Sequence, residues 1–366
     1  MCDVRLDHLT KIFGKDVVAV NDVSITFPDR KISCLLGPSG CGKTTTMRII
    51  AGLERPTSGR VFFDDEDVTE VPPQKRQVAM VFQFPVVFKT MNVYKNIAFP
   101  LIVKKYPAQE IRKKVKDVAE TLNLEECLDQ MPSKLDMSSL QRVAIARAII
   151  TEARVYLFDE PLSSVEPELR IELRRTIRDV SEKLGQTVIY VTHDQTEALT
   201  IGDMIAVMRN GRIIQFDTPE RVYLRPKDTF VAWFIGNPGM NFIDCDIVEK
   251  KGKIYLDAGV FQYDVTQVMS KVNLEKTKIK RIIMGIRPEH ITVNPKKDEL
   301  HTIKGKVDSV EKLGNVSLIY VSLDKQVTLK VKVSKYLTLK PNDEIWLGIP
   351  LDKIRLFDKE SSELLL

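Results

Sequence analysis

The sequence predicts an α/β fold with a parallel sheet over residues 1–239 and an all-β module over residues 240–366. Three observations carry this. A short apolar run ending at Leu36 opens into Gly37-Pro-Ser-Gly-Cys-Gly-Lys43-Thr44, and a helical pattern follows. A second apolar run, Arg154 to Phe158, ends in the adjacent carboxylates Asp159 and Glu160. Beyond residue 240, helical periodicity gives way to alternation, clearest where Val327, Leu329, Val331 and Val333 share one face.

Taken in order, Val4 and Leu6, then Val17 to Val20, then Val23, Ile25 and Phe27 predict short strands. Phe13 lies between them before Gly14, and is either a core side chain or an aromatic that stacks on a base. The stretch Gly37 to Thr44 is G-x-x-x-x-G-K-[ST], a phosphate-binding loop. Its glycines let successive N–H groups converge on one point, and the helix opening near Lys43 adds its positive end. Lys43 then reaches the β- and γ-phosphates, and the Thr44 hydroxyl ligates Mg²⁺. The helix runs from Thr45 to Ala51 and closes at Gly52. A turn at Pro56–Gly59 leads to a strand at Arg60–Phe63. Gln77 to Phe84 reads as a strand with Gln83 at its edge, where ligands bind in such sheets.

Between Val93 and Ile150 the period changes from two to 3.6. Ile111, Val115, Val118, Ala119 and Leu122 form an apolar stripe, and Leu140–Ile150 a more buried helix. After the next strand, Asp159 is placed to hold Mg²⁺ directly or through water, and Glu160 to act as general base. A charged helix spans Pro167–Leu184. The β-branched strand Thr187–Thr192 then presents His193, the third polar residue at a strand end of one sheet after Gln83 and Asp159. Ile205–Met208 and Arg212–Phe216 pair across Asn210-Gly211, and helices near Pro219–Leu224 and Thr229–Phe234 lead to Gly236-Asn-Pro-Gly239. Strands near 243–248, 281–286, 303–310, 316–322 and 345–349 make the second domain a small barrel or sandwich. It shows no catalytic constellation, so it reads as a binding or regulatory module.

Composition narrows the class. The chain has 366 residues, 43% apolar and 29% charged, which suits a globular protein of two domains. No apolar run approaches the roughly 18 residues that span a bilayer, and no signal-peptide stretch opens the chain. The chain is therefore expected to be neither secreted nor itself membrane-spanning. Cys2, Cys34, Cys41, Cys127 and Cys245 are scattered, which argues for a reducing compartment and against a disulfide framework or zinc site. The net charge of +5 is mild. Arg112, Lys113, Lys114 and Lys116 read as a solvated helix face rather than a nucleic-acid surface, because aromatic interleaving is missing.

The phosphate loop, Gln83, Asp159-Glu160 and His193, in this order, resemble an ABC-type ATPase. Two further stretches, Phe230-Val-Ala-Trp-Phe-Ile-Gly-Asn-Pro-Gly-Met-Asn-Phe242 and Gly285-Ile-Arg-Pro-Glu-His-Ile291, are similar to the sugar-importer, MalK-like branch. The resemblance implies a RecA-like P-loop NTPase core with an antiparallel β subdomain and a helical subdomain over about 88–153, followed by an OB-fold (TOBE) regulatory domain. It implies ATP and Mg²⁺ as cofactors, and two ATPase subunits closing head-to-tail on two ATPs beneath integral membrane permease subunits. The location implied is peripheral, on the cytoplasmic face of the membrane. By the same resemblance Phe13 stacks on adenine, and Ser39, Gly40, Cys41, Gly42, Lys43, Thr44 and Thr45 hold the phosphates. Thr44, Gln83 and Asp159 serve Mg²⁺, Glu160 activates water, and His193 contacts the γ-phosphate. The segment Phe84 to Phe99 receives the coupling helix of a membrane subunit.

One motif departs from the family. The signature Leu-Ser-Gly-Gly-Gln stands here as Leu135-Asp136-Met137-Ser138-Ser139, in an alignment set by Gln141-Arg142 and the residues after it. Glu166 also stands where the family usually has Asp. A carboxylate at 136 opposes a partner's phosphate, and Met137 obstructs the close approach glycine allows. The expectation is ATP hydrolysis driving solute uptake, with the solute a carbohydrate, by a heterodimer holding one competent and one degenerate site. A homodimer is the rival. The other classes considered are a soluble ABC ATPase acting on ribosomes or DNA, and a mainly regulatory ATP-binding subunit.

Overall fold

A computed structural model describes residues 2–269, 281–300, 302–324, 327–334 and 337–365. The chain packs as two compact units, Met1–Glu220 and Arg221–Leu366. By packing, the helix Thr229–Phe234 belongs with the second unit, whereas by the change from helical to alternating pattern the division falls at 239/240.

Two sheets build the first unit. One is antiparallel, with strands in the order Val17–Phe27, Val4–Phe13, Ser58–Phe63 and Glu66–Asp67. The other runs Arg212–Asp217, Met204–Arg209, Ile32–Leu36, Thr187–Thr192, Val155–Asp159, Val78–Val81, parallel except for its first edge. Its central strands are buried along their whole length, as a sheet covered on both faces requires. The helix Lys43–Ala51 lies in the core between the sheets. Its Met47 and Ile50 cluster with Leu6, Phe27 and Phe63 of one and Leu35, Leu157 and Val191 of the other.

The antiparallel strands are longer than the residue pattern suggests. Val17 to Phe27 is one strand, and Val4 continues to Phe13. His8 and Asp22 take left-handed backbones at shifts of register, and His8 Nδ1 meets Asp22 Oδ1 at 2.7 Å. Such bulges flip the side-chain alternation, so one bent strand reads as two short ones. The strand before Gln83 is shorter than expected, ending at Val81.

Helices Val93–Val103, Ala108–Thr121 and Met137–Ile149 form the insertion between the Val78 and Val155 strands. Ile111, Val115 and Ala119 face inward, while Arg112, Lys113 and Lys116 face solvent and Lys114 pairs with Glu152.

Arg76 was invisible in the sequence reading, yet it anchors the phosphate-loop helix. It is buried and donates to four carbonyls: Ile49 (2.7 Å), Ile50 (2.8 Å), Thr69 (2.8 Å) and Val71 (2.7 Å). A cation at the end of a helix, satisfying its last carbonyls, is favourably placed, and burial holds its pKa below the ordinary value. Arg76→Met strands several of these acceptors, so it is expected to cost about 3 kcal/mol. Urea denaturation of the full chain measures this; a loss under about 1 kcal/mol would mean the carbonyls find water instead.

Among its described residues the second unit is antiparallel sheet apart from short helices. One sheet runs Gln262–Asp264, Lys253–Asp257, Asn241–Lys250, Arg281–Ile286, Arg355–Asp358, and the other Thr292–Asn294, Glu344–Gly348, Ile303–Leu313, Val316–Ser322, Thr328–Ser334. Both face one core, to which Leu329 and Val331 contribute with Val327 and Val333 packed against it. In this unit Arg287 of the Gly285–Ile291 stretch is buried over the Tyr223 ring, 3.6 Å from its centroid, and donates to the carbonyls of Ile235 and Tyr223. Among the described residues, no helix is long and apolar enough to cross a membrane.

Candidate functional site

Strand order assembles the site. Adjacent parallel strands in the sequence Ile32–Leu36, Thr187–Thr192, Val155–Asp159, Val78–Val81 deliver, at their carboxyl ends, the phosphate loop, His193, Asp159-Glu160 and Gln83. Ligands bind outside the carboxyl ends of strands in such sheets because the connecting loops and helix N-termini converge there.

The phosphate loop needs its glycines for space and for conformation. A Cβ at Gly37 would lie 2.3 Å from the Met208 carbonyl, and Gly42 takes φ 106 with Ala19 O only 2.2 Å from where its Cβ would be. The Lys43 ammonium is buried and donates to the carbonyls of Gly37 (2.8 Å) and Pro38 (3.0 Å), so it lies folded into the loop it serves. Cys41 packs beneath the same ammonium, 3.7 Å away, and burial pushes its thiol up from the ordinary value. Ser39 and Gly40 lie on the open side of the loop; Thr45 is half-buried on the first helical turn.

Thr44 Oγ1, on the first turn of the phosphate-loop helix, donates to Asp159 Oδ1 at 3.0 Å, at the end of its strand. Asp159 is buried, and its carboxyl is pushed up first by that burial and also by Glu160 beside it, while the Thr44 hydrogen bond opposes the shift. An undercompensated buried carboxylate beside a hydroxyl is a pair of hard oxygens suited to a divalent cation.

Glu160 adopts a left-handed backbone, φ 47, unusual for a side chain other than glycine. Its N–H donates to the Val191 carbonyl at 2.9 Å, which holds that turn against the neighbouring strand. Its Oε2 lies 3.1 Å from His193 Nδ1 and 3.5 Å from Gln83 Nε2. Gln83, Glu160 and His193 therefore meet at one carboxylate oxygen. Two neighbours that sequence reading passed over brace His193. Asp194 caps the helix Gln195–Ile201 by accepting from Thr196 and Glu197 N–H groups. The buried Glu197 accepts from Thr192 Oγ1 (2.8 Å) and Tyr190 (3.1 Å). The Asp-x-x-Glu spacing is a capping signature and was the signal available.

Phe13 stands at the end of its strand, opposite Val17 across the hairpin, 41% exposed with Lys11 Nζ 5.0 Å from the ring centroid. Its ring is not in the core, which leaves the stacking role open to it. Phe84 (67% exposed), Val86 (57%) and Phe88 are exposed apolar side chains close together in the chain beyond Gln83. Asp136 caps the signature helix, accepting from Ser139 N–H at 2.6 Å, while Met137 is 47% exposed beside it.

Residues 20–163 match the family model described as ABC transporter, residues 236–291 that of the MalK OB fold domain and residues 284–357 that of the TOBE domain. The chain is 40% identical over 374 residues to the trehalose/maltose import ATP-binding protein MalK of Thermococcus litoralis, covering 99% of each. It is 39% identical over 370 residues to the oligosaccharides import ATP-binding protein MsmX of Bacillus subtilis, again 99% of each. Among solved structures it resembles an ATP-binding cassette described as a dimer in a post-hydrolysis state bound to ADP and Pi. The TM-score is 0.54 at 26% identity, covering 59% of this chain and 98% of that one.

Proposed function

This chain belongs to the ABC transporter ATP-binding subunits, in the MalK-like importer branch, and on that premise we propose that it hydrolyses ATP to drive uptake of a carbohydrate through a membrane complex. The observation that carries the proposal is the single cluster in which Gln83, Glu160 and His193 meet beside the phosphate loop. The soluble ABC ATPase and the passive regulatory subunit are set aside: the relatives MalK and MsmX, matched over 99% of their length, are import ATP-binding proteins. The clustering of Gln83, Glu160 and His193 supports hydrolysis over passive binding.

In this reading Ser39 to Thr45 embrace the phosphates, and Lys43 exchanges its loop carbonyls for the β- and γ-phosphate oxygens. Phe13 stacks on the adenine. Thr44 and Asp159, with Gln83 at the rim, suit Mg²⁺, which when bound neutralises phosphate charge. Glu160 takes the proton of the attacking water as the new oxygen–phosphorus bond forms and ADP departs. His193 holds the Glu160 carboxylate through Oε2 and contacts the γ-phosphate. The functional domains proposed are 1–239 and 240–366, the second a regulatory OB-fold module, consistent with a MalK OB fold match that starts at 236. The chain sits on the cytoplasmic face of the membrane, and the exposed Phe84–Phe88 surface receives an integral membrane subunit.

The partner ATPase is proposed to be a different chain with a complete signature. Asp136 supports this, because its carboxylate occupies the helix N-terminus that the family turns toward a partner's phosphate. The function is tested by purifying the tagged full chain from its host's membranes and assaying ATPase activity with solute-binding protein and candidate oligosaccharides. Copurifying membrane subunits and carbohydrate-stimulated hydrolysis are the expected result. A complex without integral membrane proteins would sink the importer reading; one stimulated only by other solutes would sink the carbohydrate.

A further inference from the structure

We propose that Gln141 and Arg147, two side chains of the signature helix, are positioning residues for Gln83. Both reach the segment that carries it, one on each side. Gln141 is fully buried and its Nε2 donates to the Phe82 carbonyl at 3.2 Å, immediately before Gln83. Arg147 donates through Nη1 to the Val86 carbonyl, three residues after Gln83, and its guanidinium carbon lies 4.5 Å from the Phe88 ring centroid.

These contacts are costly ones for a fold to keep. The Arg147 hydrogen bond goes to a carbonyl rather than a carboxylate, and burial lowers its pKa. Arg147 Nε and Gln141 Oε1 are buried without a hydrogen-bond partner among the described residues. A leucine at either position would bury as well with no unpartnered polar atom of its own and would give up only the bond to Phe82 or Val86, so that bond is what the polar groups are kept for.

The segment they hold has few other ties. Ladder pairing ends at Val81, and the next firm anchor is Phe88. There Asn96 both accepts from the N–H (2.8 Å) and donates to the carbonyl (3.0 Å). Between these points Gln83, Phe84 and Val86 face solvent, and among the described residues the Gln83 carbonyl accepts only a long bond of 3.4 Å from Ser164 Oγ. Without Gln141 and Arg147 the segment Gln83 to Val87 would be a bridge fastened at its ends. A Gln83 amide 3.5 Å from Glu160 would then sample many positions. With them, the segment is fastened to the helix whose first turn is the signature, and Gln83 keeps its aim at the site.

The inference rests on the reading of Gln83 as a site residue, so the test includes Gln83→Ala. ATP hydrolysis is measured in the membrane complex carrying Gln141→Met, Arg147→Met, Arg147→Lys and Gln83→Ala, singly and combined, with melting midpoints recorded. Gln141→Met and Arg147→Met are each expected to lower kcat about tenfold with KM within about twofold, and to lower it no further in the Gln83→Ala background. Arg147→Lys, which keeps a donor for Val86, is expected to lose about threefold at most. If Arg147→Met does not fold, Gln141→Met and Arg147→Lys make the same comparison. Losses that multiply with that of Gln83→Ala, or an unchanged kcat, would overturn the positioning role while leaving the site reading intact. A Gln83→Ala variant with native kcat would overturn both.

Discussion

Glu160→Gln is expected to lower steady-state ATP turnover by about a thousandfold while MgATP affinity stays within a few-fold of the native chain. The substitution keeps shape and one acceptor oxygen but removes the base. The carboxylate is not part of the phosphate loop, where Lys43 and Thr44 lie, so binding should survive its loss. The strained backbone at Glu160, and the convergence of His193 and Gln83 on its Oε2, mark a side chain held for chemistry rather than packing. Rapid-quench single turnover measures the chemical step. A rate within tenfold of native would place the base elsewhere. The same variant reports on assembly. If its solution mass doubles with MgATP, Asp136 and Met137 permit closure of two identical chains. If it stays a monomer at every ATP concentration, a partner with a complete signature is required.

Restoring the signature with Asp136→Ser, Met137→Gly and Ser138→Gly is expected to raise turnover at the site this signature completes by about tenfold, read as up to about a doubling of ATPase turnover in the assembled complex. Two unit charges about 5 Å apart interact by roughly 3 kcal/mol at an intermediate effective dielectric, enough to disable a site that must close on phosphate. The stability effect should run the other way. Serine replaces aspartate as an adequate cap for the Ser139 N–H, but two glycines in the first turn cost up to about 1 kcal/mol each. A variant that is more active and slightly less stable fits a signature that Asp136 and Met137 disable by charge and bulk; Asp136→Ser alone reads the charge. Unchanged turnover in the complex would mean that Asp136 never faces a phosphate.

The amino-acid sequence by itself determined those parts of this protein that depend on near neighbours in the chain. The phosphate loop was legible because only glycine tolerates the φ 106 of Gly42 and the crowding at Gly37. The buried strands at Ile32 and Val155, and the alternation from Val327 to Val333, were legible because periodicity records which face is covered. Strand lengths around His8 and Asp22 were not, since a bulge erases the period that would reveal it. Tertiary structure alone decided that the Val78, Val155 and Thr187 strands lie side by side, and hence that Gln83, Glu160 and His193 share one oxygen. It also decided which cations are internal. No local pattern marks Arg76, Arg147 or Arg287 as held inside, and each is held by backbone carbonyls. A carbonyl is present at every position, so no residue type announces it as a partner. Only the approach of distant segments selects which carbonyl an arginine meets.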